Sequence, residues 1–167
     1  MELLLLIVVV LLFRLVFPNI GRLNLFKKYE ENIMSACSYI GKNVPPDFNF
    51  DEKGSFESEG KYAQYKKEYE NKTVVFFVKP DDIFEGNKKI EAVGIMYPDI
   101  KQPYEAARRF SEKLKKLGWY RLKQFDTKTS ANFTRKDINV VMSVIPALNS
   151  FSALFEVNKE SRDNQTR

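Results

Sequence analysis

The hydrophobic pattern of the chain begins with an almost unbroken apolar run, MELLLLIVVVLLFRLVFPNIG. Residues 3–17 alone would form a helix of about 22 Å, short of a hydrocarbon core of about 30 Å. Apolar residues continue to Leu25, so a helix over 1–25 spans the bilayer with its last turns at the interface. The long side chain of Arg14, in the second half of the run, can reach the lipid headgroups. We therefore expect an uncleaved, single-pass anchor that contacts the lipid bilayer through Leu3, Leu6, Val10, Phe13, Arg14 and Phe17.

Two other interpretations of this segment have less support. A cleaved signal peptide needs positive residues ahead of the apolar run and a small-residue cleavage site, and the sequence has neither. A buried helix of a soluble domain needs a polar face, which residues 3–13 lack. Basic residues (Arg22, Lys27, Lys28) follow the run and none precedes it, which favours a domain facing the cytoplasm. The opposite orientation, common among small anchored bacterial domains, is the alternative.

The segment ELLLLIVV resembles the hydrophobic amino terminus of type IV pilins and pseudopilins. Glu2 and Pro18 stand at about the separation found in that family. The Gly-Phe processing site is absent, and Glu2 follows Met1 directly instead of lying behind three residues. The resemblance covers about the first twenty residues and implies a pilin-like structural subunit, which we keep as an alternative function.

After the anchor the hydrophobic spacing becomes helical. Apolar residues recur every three or four positions up to Ile40, and Gly41 follows as a helix stop, which predicts an amphipathic helix over 26–41. This helix would continue from the anchor or pack just beneath it. Cys37 lies on the apolar stripe and is expected to act as a small buried hydrophobe.

Residues 42–72 contain clustered charges, prolines and glycines, and they predict a linker or an extended loop. Phe48, Phe50 and Phe56 are unusual in such a segment. Either they pin the loop onto the domain or they bind a partner, and we take them as partner-binding candidates. The stretch KYAQYKKEYENK at the end of this segment fits a short helix or an edge strand equally well.

Residues 73–157 carry the pattern of an α+β domain. TVVFFVK and KIEAVGIMY predict strands, and Pro103 begins a helix that ends at Gly118. The segments WYRLKQF, ANFTRK and NVVMSVI are β-forming, and FSALFEV follows Pro146. The expected fold is α+β: the transmembrane and amphipathic helix, then an antiparallel sheet of about five strands with one helix packed on a face (β-β-α-β-β-β). Residues 158–167 read as a polar tail.

The helix after Pro103 has a charged face. Its Glu and Lys or Arg residues form i,i+4 pairs, which is typical of a solvated face rather than of a nucleic-acid surface. Arg108, Arg109 and Lys113 on this face are taken as further partner-binding candidates. The ending L-x-x-L-G-W, with Trp119 expected to pin the helix onto the sheet, looks generally like that of small anchored accessory domains of bacteria.

Composition narrows the possible chemistry. The chain has no histidine among its 167 residues, which excludes His-based acid–base and nucleophile pairs and most zinc sites. Its single cysteine excludes an internal disulfide, and no glycine-rich phosphate loop is present. The net charge of +5 comes from basic residues scattered among nearly as many acidic ones, so no nucleic-acid partner is expected. We expect no catalytic residue, no cofactor and no metal.

These observations favour a membrane-anchored, non-catalytic interaction protein: a subunit, assembly factor or inhibitor whose α+β domain binds a protein partner. Besides the pilin-like subunit, the alternative is an enzyme with a carboxylate or lysine site that the sequence does not reveal.

Overall fold

The computed structural model describes residues 20–58, 61–84, 86 and 88–158. Most of the expected anchor, residues 1–25, and nearly all of the polar tail lie outside these residues. Within the described ranges, no helix combines the length and the apolar character that crossing a bilayer requires.

The centre of the fold is one antiparallel sheet of eight strands in the order β1-β2-β3-β4-β8-β7-β6-β5. Each half of the sheet is a meander of four consecutive strands, and β4 and β8 pair with each other in the middle. The strands are β1 (Asn49–Asp51), β2 (Ala63–Tyr69), β3 (Lys72–Val78), β4 (Ile90–Tyr97), β5 (Tyr120–Arg121), β6 (Ser130–Arg135), β7 (Ile138–Ile145) and β8 (Ser150–Val157).

The α+β class and the antiparallel sheet are confirmed, but the expected number of about five strands is wrong. β1 and β2 arise from residues 42–72, where charges and turn residues predicted a linker or loop. These strands nevertheless pair at the edge of the sheet. β2 is held there because the side chains of Ala63 and Tyr65 are buried in the core. WYRLKQF gives only the two-residue strand β5, after which the chain turns into a 3-10 helix, Lys123–Phe125.

In the part of the chain that the structure describes, four α-helices accompany the sheet: α1 (Ile20–Tyr39), α2 (Glu52–Glu57), α3 (Pro80–Phe84) and α4 (Pro103–Lys116). A second 3-10 helix, Pro146–Leu148, joins β7 to β8. The expectation of one helix on the sheet is wrong, because α1 and α4 lie side by side and both add buried residues to the core. α1 thus contributes to the core of the sheet and helices.

The core lies between these two helices and one face of the sheet. Tyr29 and Ile33 of α1 and Phe110 and Leu114 of α4 are almost completely buried. They pack against every second residue of the central strands, since side chains alternate between the two faces of a strand. The sheet residues of this core include Val74, Phe76, Val93, Ile95, Phe133, Val140, Phe151 and Phe155.

Candidate functional site

The face of the sheet opposite α1 and α4 is not covered by either helix, and we call it the open face. Its central part consists of three rows of four residues, which the strand register aligns across β3, β4, β8 and β7. The rows are Val75-Gly94-Leu154-Val141, Phe77-Ala92-Glu156-Asn139 and Thr73-Met96-Ser152-Ser143.

These rows have an unusual composition for an exposed sheet face. Glu156 is the only charged residue among the twelve positions, and the first row is entirely apolar. Antiparallel sheets with one solvated face normally alternate apolar and polar residues. A face with so little charge has the composition of a surface that contacts another surface.

The apolar row is flat at its centre because Gly94 lies under an aromatic ring. A Cβ atom on Gly94 would be 3.2 Å from Cε2 of Phe77. The Phe77 ring in turn meets Tyr62 edge-on, with ring centroids 6.0 Å apart. A side chain at position 94 would therefore displace Phe77, and glycine allows the ring to lie along the sheet.

A hollow of about 680 Å³ lies at one end of the open face, over β6, β7 and β8. It is lined by both apolar and uncharged polar groups, including Phe125, Val141 and Asn132, and by the carboxylate of Glu156. Within the described residues, Oδ1 of Asn139 is buried in this region without a hydrogen-bond partner. A buried carbonyl oxygen without a donor costs free energy, so this atom favours a partner that donates a hydrogen bond.

A second concave site, which we call the end pocket, lies at the end of the sheet where β4 passes into α4. Its volume is about 560 Å³. One wall is formed by α1 through Lys28 and Tyr29, and the opposite wall is formed by α4 through Glu105, Ala106 and Arg109.

The floor of the end pocket is a pair of buried tyrosines. The rings of Tyr29 and Tyr97 meet edge-on, 5.7 Å apart. Nδ2 of Asn32 donates a 2.8 Å hydrogen bond to the Tyr97 hydroxyl, and the ammonium of Lys72 donates to Oδ1 of the same amide. Burial raises the pKa of Tyr29 to about 12, with Arg109 partly opposing the shift, and burial also raises the pKa of Tyr97. Both phenols are therefore neutral hydrogen-bond donors at physiological pH.

The charged rim of the end pocket is organised around Glu105. Arg108 binds this carboxylate through two nitrogens at 2.8 Å, and Nε of Arg109 donates to it at 3.0 Å. Hydrogen bonds from these arginines lower the pKa of Glu105 to about 2, so the carboxylate is ionised at physiological pH. Burial, followed by the charge of Lys28, lowers the pKa of Lys72 beneath the floor.

The structure distributes the partner-binding candidates over different surfaces. Phe48 is buried and stacks on Phe76, with ring centroids 4.1 Å apart, whereas Phe50 is 55% exposed at the sheet edge. Phe56 lies in α2, but its side chain is outside the described set. Partner binding through Phe50 stays a prediction, while Phe48 has the position expected of a residue that pins the segment to the domain.

The basic candidates of α4 all make ion pairs. Arg108 and Arg109 bind Glu105, and Lys113 pairs with Glu30 of α1 and so links the two helices. Of the six candidates, Arg109 is the one that lines the end pocket. The structure does not bring the five candidates with described side chains together into one site.

Cys37 is a free, half-buried cysteine, and burial raises the pKa of its thiol. Among the residues that the structure describes, no group of three or more Asp, Glu, Cys or His side chains is arranged to hold a metal ion.

The sequence did not reveal the open face, although its residues are in the strands that it predicted. In VVFFV of β3 and AVGIM of β4, both faces carry apolar residues, so the alternation that separates core from surface is absent. The only signal was this lack of alternation. A strand that is buried on both faces has the same pattern, so the sequence alone does not distinguish it from a strand with one exposed apolar face.

Comparison with known proteins adds no family to these observations: no family model matches the chain, and no curated protein and no solved structure matches it.

Proposed function

We propose that this chain is a membrane-anchored, non-catalytic interaction protein whose α+β domain binds a protein partner on its open face. The amino-terminal segment 1–25 serves as a single-pass anchor and holds the domain close to the bilayer. The partner is another protein that presents an apolar surface with hydrogen-bond donors at its rim.

The observation that carries the proposal is the composition of the open face. An apolar row crosses four central strands, and the neighbouring rows supply hydroxyl and amide groups but a single charge. The core of a protein interface is depleted in charged residues and surrounded by a polar rim. The buried Oδ1 atom of Asn139 adds an acceptor for which the described residues offer no donor.

Site-specific photo-crosslinking in intact membranes tests the proposal. A photoreactive amino acid would replace Leu154 or Val75 on the open face and, as matched controls, Tyr104 or Lys115 on the exposed side of α4. We expect one discrete adduct with a different protein from the open-face positions and none from the controls. Tryptic mass spectrometry of the adduct then identifies the partner and the segment that it presents.

Charge substitution provides a second readout. Leu154→Lys should abolish the adduct formed from Val75, while Leu148→Lys, an apolar-to-charged change at an exposed turn, should leave it intact. Adducts of equal yield from α4 and the open face would contradict the proposal. An adduct with a second copy of the chain would also overturn it, because the face would then be an interface between copies.

The anchor and its orientation are tested separately. Because Cys37 is half-buried with a raised thiol pKa, it reacts slowly and is a poor probe of sidedness. Met34 is 55% exposed on the same helix, so Met34→Cys in a Cys37→Ser background gives an accessible thiol. Protection from a membrane-impermeant maleimide in intact cells, with labelling after lysis, is the result expected for a cytoplasmic domain. Recovery of the chain without detergent, beginning beyond Pro18, would contradict the anchor.

A further inference from the structure

We propose that the end pocket is a binding site for an amphiphilic organic phosphate, a molecule with one phosphate group and an apolar chain. This site lies beside α1 and α4 and shares none of the open-face residues, so the inference does not rest on the partner-binding proposal.

The size and floor of the pocket fit such a molecule. A volume of about 560 Å³ is within the range of about 300–1,000 Å³ typical of small-molecule sites. The aromatic rings of Tyr29 and Tyr97 form the floor, with Ile100 and Ala106 beside them. An apolar chain that lies on these groups is removed from water, and no charged side chain has to be buried for it to bind.

The charges at the rim fit an anion. Lys28, Lys101 and Arg109 line the pocket together with the carboxylates of Asp99 and Glu105. The lining therefore carries three positive and two negative charges, and Glu105 is paired with Arg109 and with Arg108, which lies outside the lining. The ammonium of Lys72 lies beneath the floor and adds positive potential from below.

The donors in the pocket match phosphate oxygens. Arg109 uses its Nε atom on Glu105, which leaves the other N–H groups of the guanidinium fork for a ligand. The Tyr97 oxygen accepts from Asn32, and its own proton is thus available for donation into the pocket. No hydrogen bond occupies the Tyr29 hydroxyl within the described residues, although its ring is almost completely buried.

Two sources could supply this chemistry. Lys28 lies three residues beyond Leu25, the end of the expected anchor, which is about 4.5 Å along α1. A headgroup of an anionic phospholipid could therefore reach the pocket. A soluble phosphate ester with an apolar group is the other source. The experiment distinguishes them.

The test is isothermal titration calorimetry on the full chain in nanodiscs of phosphatidylcholine, with empty nanodiscs as the blank. The probe is hexyl phosphate, and the comparison ligands are hexanol, which lacks the charge, and inorganic phosphate, which lacks the apolar chain. We expect saturable binding of hexyl phosphate at least tenfold tighter than that of either comparison ligand.

Two variants examine the pocket by different routes. Lys28→Gln with Arg109→Gln removes two rim charges and should weaken binding about tenfold. Ala106→Phe fills the pocket without changing any charge and should abolish binding. The matched control, Lys115→Gln with Lys123→Gln, removes two exposed charges outside the pocket and should bind like the unmodified chain. Circular dichroism establishes that each variant is folded.

The possible results distinguish between failure of the proposal and the two sources of the ligand. Absence of saturable binding, an equal loss in the control variant, or unchanged binding by folded Ala106→Phe would each overturn the proposal. If phosphatidylglycerol in the nanodisc competes with hexyl phosphate, the site takes a lipid headgroup. If it does not compete, the site takes a soluble organic phosphate. The cross-linking experiment probes residues of the open face, whereas the calorimetry probes the end pocket. Either proposal can therefore fail while the other stands.

Discussion

Among single residues, the two tyrosines beneath the end pocket, Tyr29 and Tyr97, are polar side chains that the fold buries almost completely. Tyr97 stacks on Phe151 with ring centroids 4.6 Å apart, and Tyr29 meets Phe110 edge-on at 5.2 Å. Aromatic pairs in these geometries stabilise a core beyond the area that they bury. The same burial that stabilises the rings disfavours the ionised phenolate.

Alkaline pH should therefore destabilise the protein partly through Tyr29. The pKa of Tyr29 is about 12 in the folded state and about 10 in an unfolded chain, so the unfolded state releases its proton first. This contribution is fully present below about pH 10 and is lost as the pH rises toward 12. Urea unfolding between pH 8 and 12 should show a smaller decrease in the free energy of unfolding for Tyr29→Phe than for the unmodified chain. Identical pH dependence in both proteins would contradict this assignment.

At the scale of elements, α4 shows how local sequence defines a helix. Pro103 stands in its first turn, and Ala107, Phe110 and Leu114 form its buried stripe. The helix ends in a Schellman motif, in which the N–H of Trp119 donates to the carbonyl of Leu114 at 3.1 Å. Gly118 adopts φ of 84°, the left-handed conformation that this motif requires.

Substitution of Gly118 should destabilise the protein only through the unfavourable backbone conformation at that position. A Cβ atom at position 118 would lie 4.0 Å from Nε of Arg135, so there is room for a methyl group. Gly118→Ala should lower the free energy of unfolding by about 1 kcal/mol, because alanine disfavours positive φ. Gly118→Asn is the matched variant and should lose less, since asparagine tolerates this conformation. Chemical denaturation of the three proteins measures the difference, and equal losses for Ala and Asn would contradict the backbone explanation.

At the scale of the whole molecule, the domain depends on residues that precede the strongest β pattern. Phe76 of β3 is completely buried because Phe48 stacks on it at 4.1 Å and Tyr39 packs at 4.9 Å. Both partners lie outside residues 73–157, the range that the sequence predicts for the α+β domain. β2, which pairs with β3, also lies outside that range. Without β2, Phe48 and Tyr39, β3 would become an edge strand with an exposed aromatic residue.

A truncated chain should show this dependence directly. We expect residues 73–157 alone to lack a cooperative unfolding transition, because α1, β1 and β2 no longer cover their part of the core. A chain of residues 27–158 retains those elements and should unfold cooperatively. Circular dichroism with thermal denaturation compares the two, and cooperative unfolding of 73–157 would show that the second half of the chain is sufficient.

Elements with strong local signals can be predicted from the sequence alone. The helix that begins at Pro103 and ends at Gly118 and the α+β class both follow from residue spacing and from the positions of proline and glycine. Trp119 is buried at the junction of helix and sheet, 6.1 Å from Phe155 between ring centroids, as the sequence predicts. Such features depend on neighbours a few residues apart, so one sequence is enough to predict them.

The number of strands in the sheet and the positions of its surfaces, in contrast, depend on contacts between distant parts of the chain. β2 is a strand because it pairs with β3, although its sequence, AQYKKEY, is largely polar. The end pocket joins Lys28 of α1 to Arg109 of α4, which are distant in sequence, and the open face exists because both helices pack on the other side. Pairing and packing between distant segments leave no periodic signal in the sequence. The identity of each surface therefore became visible only when the chain was folded.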